Sequence, residues 1–348
     1  MSVTLKDHFA MIRDKEEVMS DLYRSPKLLK EFQSWSDEEQ TALLNYCTGV
    51  KGVKILYDNV FKAIIDPENR PERLEDILSQ ILEQQVKILK VLPNESVRIA
   101  TEKSLLVLDI VVEMEDGSIA NVEVQRIGYK FPGQRSACYS ADLLMRQYKR
   151  VKGEKKKAFR YSDIKKVYTI IFFEKSTREF HRFQDTYLHR AKQQTNTGLQ
   201  MDLLQEYVFI SLDIFKKAMH NKGVRTDNRL EAWLTFLCED EPEWILRFLE
   251  THPEFTALYE EVFRLCRNTE YMMGIFSDEL AILDENTVQY MIDEMQETID
   301  QQSAQLDEKD IQLSEKDVQL SEKEAQLDEM ERLLKEKDEL IKKLLENK

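Results

Sequence analysis

Cysteine, glycine and histidine are all scarce in this chain, and the few present are scattered. The four cysteines, Cys47, Cys138, Cys238 and Cys266, lie far apart with no CxxC pair and no neighbouring histidine. That spacing excludes a disulfide framework and a thiolate zinc site, and predicts buried free thiols. The five histidines, His8, His181, His189, His220 and His252, have no metal-ligand spacing, and the nine glycines form no phosphate-cradling loop. A nucleotide-dependent metabolic enzyme therefore has no motif behind it. Long apolar runs are missing as well. The segment IIFF at 170–173 is far too short to cross a bilayer, and the opening MSVTLKDHFAMIRDKEE does not follow the basic-then-apolar order of a secretory signal. The expectation is a cytoplasmic chain that makes no membrane contact.

Disorder is excluded by a hydrophobic content of 42% over 348 residues, enough for one sizeable core or two. The formal net charge of -15 argues against a nucleic-acid partner until its distribution is examined. Residues 226–300 hold 19 acidic and 4 basic side chains, and 301–348 hold 14 and 9. The first 225 residues therefore keep 37 basic against 32 acidic ones. Their densest basic run is RQYKRVKGEKKKAFR, with Arg146, Lys149, Arg150, Lys152, Lys155, Lys156 and Lys157. Such a run suits either a phosphate backbone or a solvated helix end.

Residues 1–50 read as helical, with Ser36 and Glu39 in capping-box spacing and a stop near Gly49. A short helix, LYDNVFKAII, ends before Asp66 and Pro67. A longer one is predicted over 71–90, with Leu74, Ile77, Leu78, Ile81, Leu82 and Leu89 at helical spacing. Glu75 falls inside its apolar arc, where a carboxylate needs a partner. A helix over 134–150 is expected to pack through Cys138, Ala141, Leu144, Met145 and Tyr148, with Arg135, Tyr139, Asp142 and Arg146 on its polar face. KVYTIIFFE and LLQEYVFISLD read as buried strands separated by a polar loop. The sum is an α/β core over 51–225, preceded by a helical segment at 1–50. An acidic helical domain is expected over 226–300 and a heptad tail over 301–348. In the tail Leu306, Leu313, Leu320, Leu327, Leu334 and Ile341 recur every seventh residue, with Lys309, Lys316 and Lys323 three positions on. That pattern allows self-association as a weak coiled coil or a solvated single helix.

The stretch LLVLDIVVEMEDGSIANVEVQ at 105–125 carries polar residues that a plain hairpin does not require. A two-residue turn at Asp116 and Gly117 would send Asp109 and Glu123 to opposite faces of the sheet. A three-residue loop, 115–117, with a left-handed Gly117 sets Met114 against Ser118 and Asp109 against Glu123. It also pairs Ile110 with Val122 and Val112 with Ala120 on an unbroken apolar face, so the pattern selects it. Facing carboxylates repel unless a cation lies between them, and oxygen-only ligands suit Mg2+ or Mn2+. Gln125 shares their side and can orient a water or a phosphate oxygen. The same three residues on the solvated side of a hairpin would need no cation.

This order of elements, with E-x-Q on the second strand and R-x-x-x-Y on the next helix, resembles the PD-(D/E)XK nuclease superfamily, in its branch of recombination-promoting nucleases and transposase-like proteins. The resemblance covers 58–213 and implies a restriction-endonuclease-like core, a mixed sheet flanked by helices. It implies that Asp109 and Glu123 hold Mg2+, that Gln125 stands where the family's lysine would be, and that Glu75 is the acid on the first core helix. Leu108 replaces the name-giving proline. Because glutamine carries no charge, either the glutamine suffices in this branch or a cation supplies the charge, Arg135 first, with Arg126 and Lys130 as the others in reach. DNA is the implied substrate, with Tyr139 and Arg146 supporting the site or touching the backbone. The rival reading is an inert nuclease fold that serves in assembly through its helical C-terminal half.

Overall fold

The computed structural model describes residues 4–93, 110–126, 132–222 and 228–281, with separate helical positions between 295 and 337. Helices α1 (Lys15–Arg24), α2 (Pro26–Ser34), α3 (Asp37–Thr48), α4 (Asp58–Ile65) and α5 (Pro71–Leu82) come first. Strands β1 (Ile88–Leu92), β2 (Ile110–Met114) and β3 (Ile119–Gln125) precede α6 (Pro132–Lys155). Then follow β4 (Val167–Phe173), β5 (Leu188–Lys192), β6 (Gln205–Ser211), α7 (Leu212–Lys222), α8 (Arg229–Cys238), α9 (Pro242–Thr251) and α10 (Thr256–Leu265). The six strands form one mixed sheet in the order β1-β2-β3-β4-β6-β5, with β3, β4 and β6 mutually parallel. No helix among the described residues is long and apolar enough to cross a membrane.

Alternation along the strands sorts the side chains between two layers. Ile110, Val112, Ala120, Val122, Ile170, Phe172, Val208 and Ile210 join the main core, which the N-terminal helices and α8 to α10 complete. Val111, Ile119 and Val167 face the other way and pack on Tyr139 and Leu143 of α6. The sheet is thus covered on both faces, as parallel strands require. Residues 1–286 make one compact unit and 287–348 another. The acidic helices from Arg229 to Leu265 share the core of the first unit. In the second unit the described positions are helical, and Leu306, Leu320, Leu327 and Leu334 are exposed.

The hairpin takes the three-residue loop. The Gly117 N–H donates to the Met114 carbonyl at 2.9 Å, and the Met114 N–H donates to the Ser118 carbonyl at 2.8 Å. The register sets Ile110 against Val122 and Val112 against Ala120. Gly117 is left-handed at φ +84°, and an added Cβ would meet Lys165 Cγ at 3.2 Å, the tip of no rigid element. Backbone strain rather than a clash opposes a side chain there. Gly117→Val should cost about 1–2 kcal/mol or somewhat more in urea unfolding; unchanged stability would mean that the loop takes another form in solution.

Two elements differ from the sequence reading. The helix expected over 71–90 stops at Leu82, where Glu83 turns left-handed at φ +53°, and Ile88–Leu92 becomes edge strand β1 paired with β2. Leu89, counted on the helical face, is exposed. The helix-forming run EQQVKILK offers no local stop, so pairing with β2 overrides its propensity. The loop between the two buried strands contains β5, a short antiparallel edge strand whose polar sequence LHRAK conceals it.

Candidate functional site

Strand β3 lies in the middle of the sheet, buried on both faces, yet its α6-facing positions read Ile119, Asn121, Glu123 and Gln125. Asn121 is fully buried, Glu123 is 3% exposed and Gln125 5%. In-register neighbours on the parallel strands extend this face. Thr169 lies beside Asn121, Ile171 beside Glu123 and Phe173 beside Gln125, with Tyr207, Phe209 and Ser211 beyond them on β6. Thr169 and Ser211 are also fully buried. The result is a polar stripe beneath α6, walled on its β4–β6 side by Ile171, Phe173 and Phe209.

Burying polar groups without partners costs about 1–3 kcal/mol each. The Asn121 amide donates to Glu123 Oε1 at 2.9 Å and so fixes one carboxylate oxygen. Gln125 Oε1, Asn121 Oδ1, Thr169 Oγ1 and Ser211 Oγ are buried without a hydrogen-bond partner among the described residues. Buried unpartnered oxygens on the face that carries a carboxylate suit a hard cation or ordered water. No group of three or more His, Cys, Asp or Glu side chains gathers to hold a metal among the described residues. Asp109, the acid expected opposite Glu123, lies outside them.

Helix α6 runs back antiparallel to β3. Near its C-terminal half, Gln147 Oε1 accepts from the Lys165 N–H at 2.7 Å and Gln147 Nε2 donates to the Gly117 carbonyl at 3.4 Å. Its first turns therefore lie toward the Glu123–Gln125 half of β3. There the Arg135 Nε donates to Tyr139 Oη at 2.6 Å, with the guanidinium 5.4 Å from the ring centre. Tyr139 is 1% exposed and packs on the sheet. It holds Arg135 and has no surface to offer a DNA backbone.

The packing face of α6 is Ser136, Tyr139, Ser140, Leu143 and Gln147, while Cys138, Ala141 and Met145 are exposed. The apolar stripe chosen from the sequence is thus rotated away from the sheet. A polar sheet face accepts the serines, Tyr139 and Gln147, and that complementarity is not written in the helix itself.

The remaining expected residues divide among other tasks. Glu75 is buried, but its Oε1 accepts from the Ile88 N–H at 2.9 Å and its Oε2 from Lys87 Nζ at 2.6 Å. It thereby fastens the start of β1. Arg126 leaves the stripe for the opposite face. Its Nε donates to Glu174 at 2.9 Å, an Nη donates to Glu279 at 2.8 Å, and the guanidinium lies 4.7 Å from the Tyr57 ring centre. Lys130 lies outside the described residues.

In the basic run, Arg146 pairs with Asp142 at 2.7 Å, Lys155 with Asp163 at 2.6 Å, and Arg150 with Glu113. Lys149, Lys152, Lys156 and Lys157 are exposed and have no carboxylate partner among the described residues. Sequence reasoning missed Asn121, Thr169 and Ser211. Asn121 was within reach, because it shares the parity of Glu123 and Gln125.

A family model described as PD-(D/E)XK nuclease family transposase matches residues 55–294. The match takes in the sheet, α6 and the acidic helices α8 to α10. Searches of curated proteins and of solved structures give no significant match.

Proposed function

As the chain belongs to the PD-(D/E)XK nuclease family transposases, whose nucleases generally use divalent metal ions, we propose that it is a metal-dependent endonuclease that hydrolyses phosphodiester bonds in DNA. The observation that carries this reading is the buried alternation of Asn121, Glu123 and Gln125 on the central strand, with the Gln125 and Asn121 side-chain oxygens left over. The donors are hard oxygens and fit Mg2+ or Mn2+, which keep several waters and take one or two carboxylates.

In this reading Glu123 and Asp109 hold the cation, Asp109 having the sequence parity of Val111 and Glu113, whose side of the sheet faces α6. When bound, the cation lowers the pKa of a water and offsets the charge that develops on the phosphoryl group. The chain's own residues do the rest. Asn121 fixes the orientation of the Glu123 carboxylate, and Gln125 Oε1 accepts a hydrogen bond from the attacking water. The wall of Ile171, Phe173 and Phe209 keeps the local dielectric low and so strengthens each charge interaction. Arg135, held by Tyr139, brings the positive charge that Gln125 lacks. Glu75, tied to Lys87 and to the Ile88 N–H at the hairpin end of the sheet, takes no part in this reading. Lys149, Lys152, Lys156 and Lys157 contact phosphates.

The test is conversion of supercoiled plasmid to open-circular or linear DNA with Mg2+ or Mn2+, against the same reaction in EDTA. Cleavage with metal alone is expected. No cleavage with either metal, or equal cleavage in EDTA, would overturn the proposal and favour the inert scaffold. Within the site, Gln125→Lys should keep or raise the rate by restoring the charge usual in this superfamily. Gln125→Leu, of similar size without the oxygen, should lower it about 10- to 100-fold. Full activity in Gln125→Leu would take water positioning away from this residue.

A further inference from the structure

At the other end of β3 from Gln125, the hairpin turn, α6 and the segment before β4 enclose a cleft of about 1000 Å3, lined in part by Leu144, Tyr148, Tyr161, Lys165, Lys166 and Tyr168. Its rim is aromatic. Tyr148 and Phe159 meet edge to face at 5.5 Å, as do Phe159 and Tyr161 at 5.5 Å. The rings of Tyr148 and Tyr161 are nearly parallel, 15° apart with centres 6.3 Å apart. Tyr161 is nonetheless 78% exposed. It is held in place because Asp163 accepts from the Arg160 N–H at 2.8 Å and from Lys155 at 2.6 Å, which pins the 161–163 turn.

An exposed flat ring on a pinned turn is a prearranged stacking surface, and the charge around it names a partner. Lys152 lies 5.0 Å from the centre of the Tyr148 ring and donates to its hydroxyl at 2.7 Å. Lys165 lines the cleft beside Asp116, Asp202 and Lys166, the last paired with Glu206, and Lys149, Lys156, Lys157 and Arg160 adjoin Tyr148, Phe159 and Tyr161 in sequence without a carboxylate within salt-bridge distance among the described residues. These exposed cations without a salt-bridge partner lie close together in a chain of net charge -15. They match a polyanion whose units carry flat faces.

A duplex hides those faces in its stack, and single strands present them. We propose that this cleft binds unpaired DNA, a base stacking on Tyr161 while the adjoining phosphates lie along Lys152, Lys156, Lys157 and Lys165. Glu123 lies five positions along the chain from Ser118 at the cleft, roughly 17 Å at the rise of a strand. The cleft would thus grip an unpaired segment at a set distance from the place of cleavage and direct the enzyme to junctions or frayed ends.

The inference rests on the nuclease reading for its choice of polymer but uses neither metal nor cleavage. Its test is fluorescence anisotropy of a labelled thymidine oligonucleotide in EDTA, with the full chain, Tyr161→Ala and Tyr161→Phe. A matched duplex and the corresponding uridine oligonucleotide serve as comparisons. Tyr161→Ala should weaken single-strand binding about 5- to 100-fold, the loss of one stacked base. Tyr161→Phe should bind like the unaltered chain, and duplex affinity should hardly move. Unchanged single-strand binding in Tyr161→Ala, an equal loss on the duplex, or no single-strand binding by the unaltered chain would each overturn it. Tighter binding of the uridine oligonucleotide would replace DNA by RNA. A chain that cleaves plasmid but ignores Tyr161 loses this inference alone, and one that stacks single strands through Tyr161 without cutting loses only the nuclease reading.

Discussion

Glu123→Gln should lower metal-dependent DNA cleavage by about 100-fold or more while leaving thermal stability unchanged or raised. Glutamine has nearly the shape of glutamate and still offers an oxygen to the Asn121 amide, which now donates at 2.9 Å. What it cannot do is carry the negative charge that a hard cation requires, and a loss of about 2.7 kcal/mol in transition-state stabilisation is already 100-fold in rate. Stability should hold or rise, since a neutral amide of nearly the same shape costs less to bury than a carboxylate at a position only 3% exposed. The pair of measurements separates chemistry from folding. Equal rates in Glu123→Gln and the unaltered chain would remove Glu123 from the site, and loss of rate together with collapse of the melting transition would make the residue structural. Asp109→Asn should repeat the result if the two acids share one cation.

The largest loss of stability is expected at Arg126, the residue directly after the E-x-Q strand. Its guanidinium joins Glu174, which also accepts from Lys54 at 2.6 Å, to Glu279, whose other oxygen accepts from the Asp58 N–H at 2.7 Å. One buried network thus ties the strand that carries the candidate site to the start of α4 and to the acidic helical stretch at 269–281. Burial works against the charge of Arg126, yet Glu174 and then Glu279 hold its guanidinium more firmly protonated than usual. Arg126→Met leaves Glu279 without its cation and Glu174 with Lys54 alone, and breaking comparable buried pairs costs about 3–5 kcal/mol. Urea unfolding would show it, and a loss under about 1 kcal/mol would mean that the network is solvated. Combined with Glu279→Gln, the loss should be smaller than the sum of the two, because they share one interaction.

The two carboxylates of this network respond to acid with opposite signs. Burial would push Glu174 up, but Lys54 and Arg126 hold it below its ordinary 4.5. Its contribution is therefore complete above that value and is lost as pH falls through the lowered one. Glu279 is raised, chiefly by burial, with the Asp58 N–H and Arg126 pulling against the shift. It favours the folded state most when protonated, and that contribution fades as pH rises through the raised value. Both effects should narrow the gap between the unaltered chain and Arg126→Met in acid, a change that melts over a pH series would measure.

What the sequence determined by itself was local or periodic. The α3 cap is one such case, with Ser36 Oγ accepting from the Glu39 N–H at 3.3 Å and the Glu39 carboxylate accepting from the Ser36 N–H at 2.7 Å. The loop at Gly117 is another, because only one turn length keeps Ile110, Val112, Ala120 and Val122 on a single apolar face. The same parity put Glu123 and Gln125 together before any fold was known. Tertiary structure decided the features whose reasons lie far away in the chain. EQQVKILK leaves the helix because β2 offers β1 a partner, and Glu75 is buried because Lys87 and the Ile88 N–H meet it there. Helix α6 turns its serines and Tyr139 inward because the sheet beneath is polar. The acidic helices enter the first core because their apolar faces meet those of the N-terminal helices, something a charge count cannot register. Hydrophobic periodicity fixes which side of an element is buried only when the surface opposite it is apolar, and that surface is made by other parts of the chain.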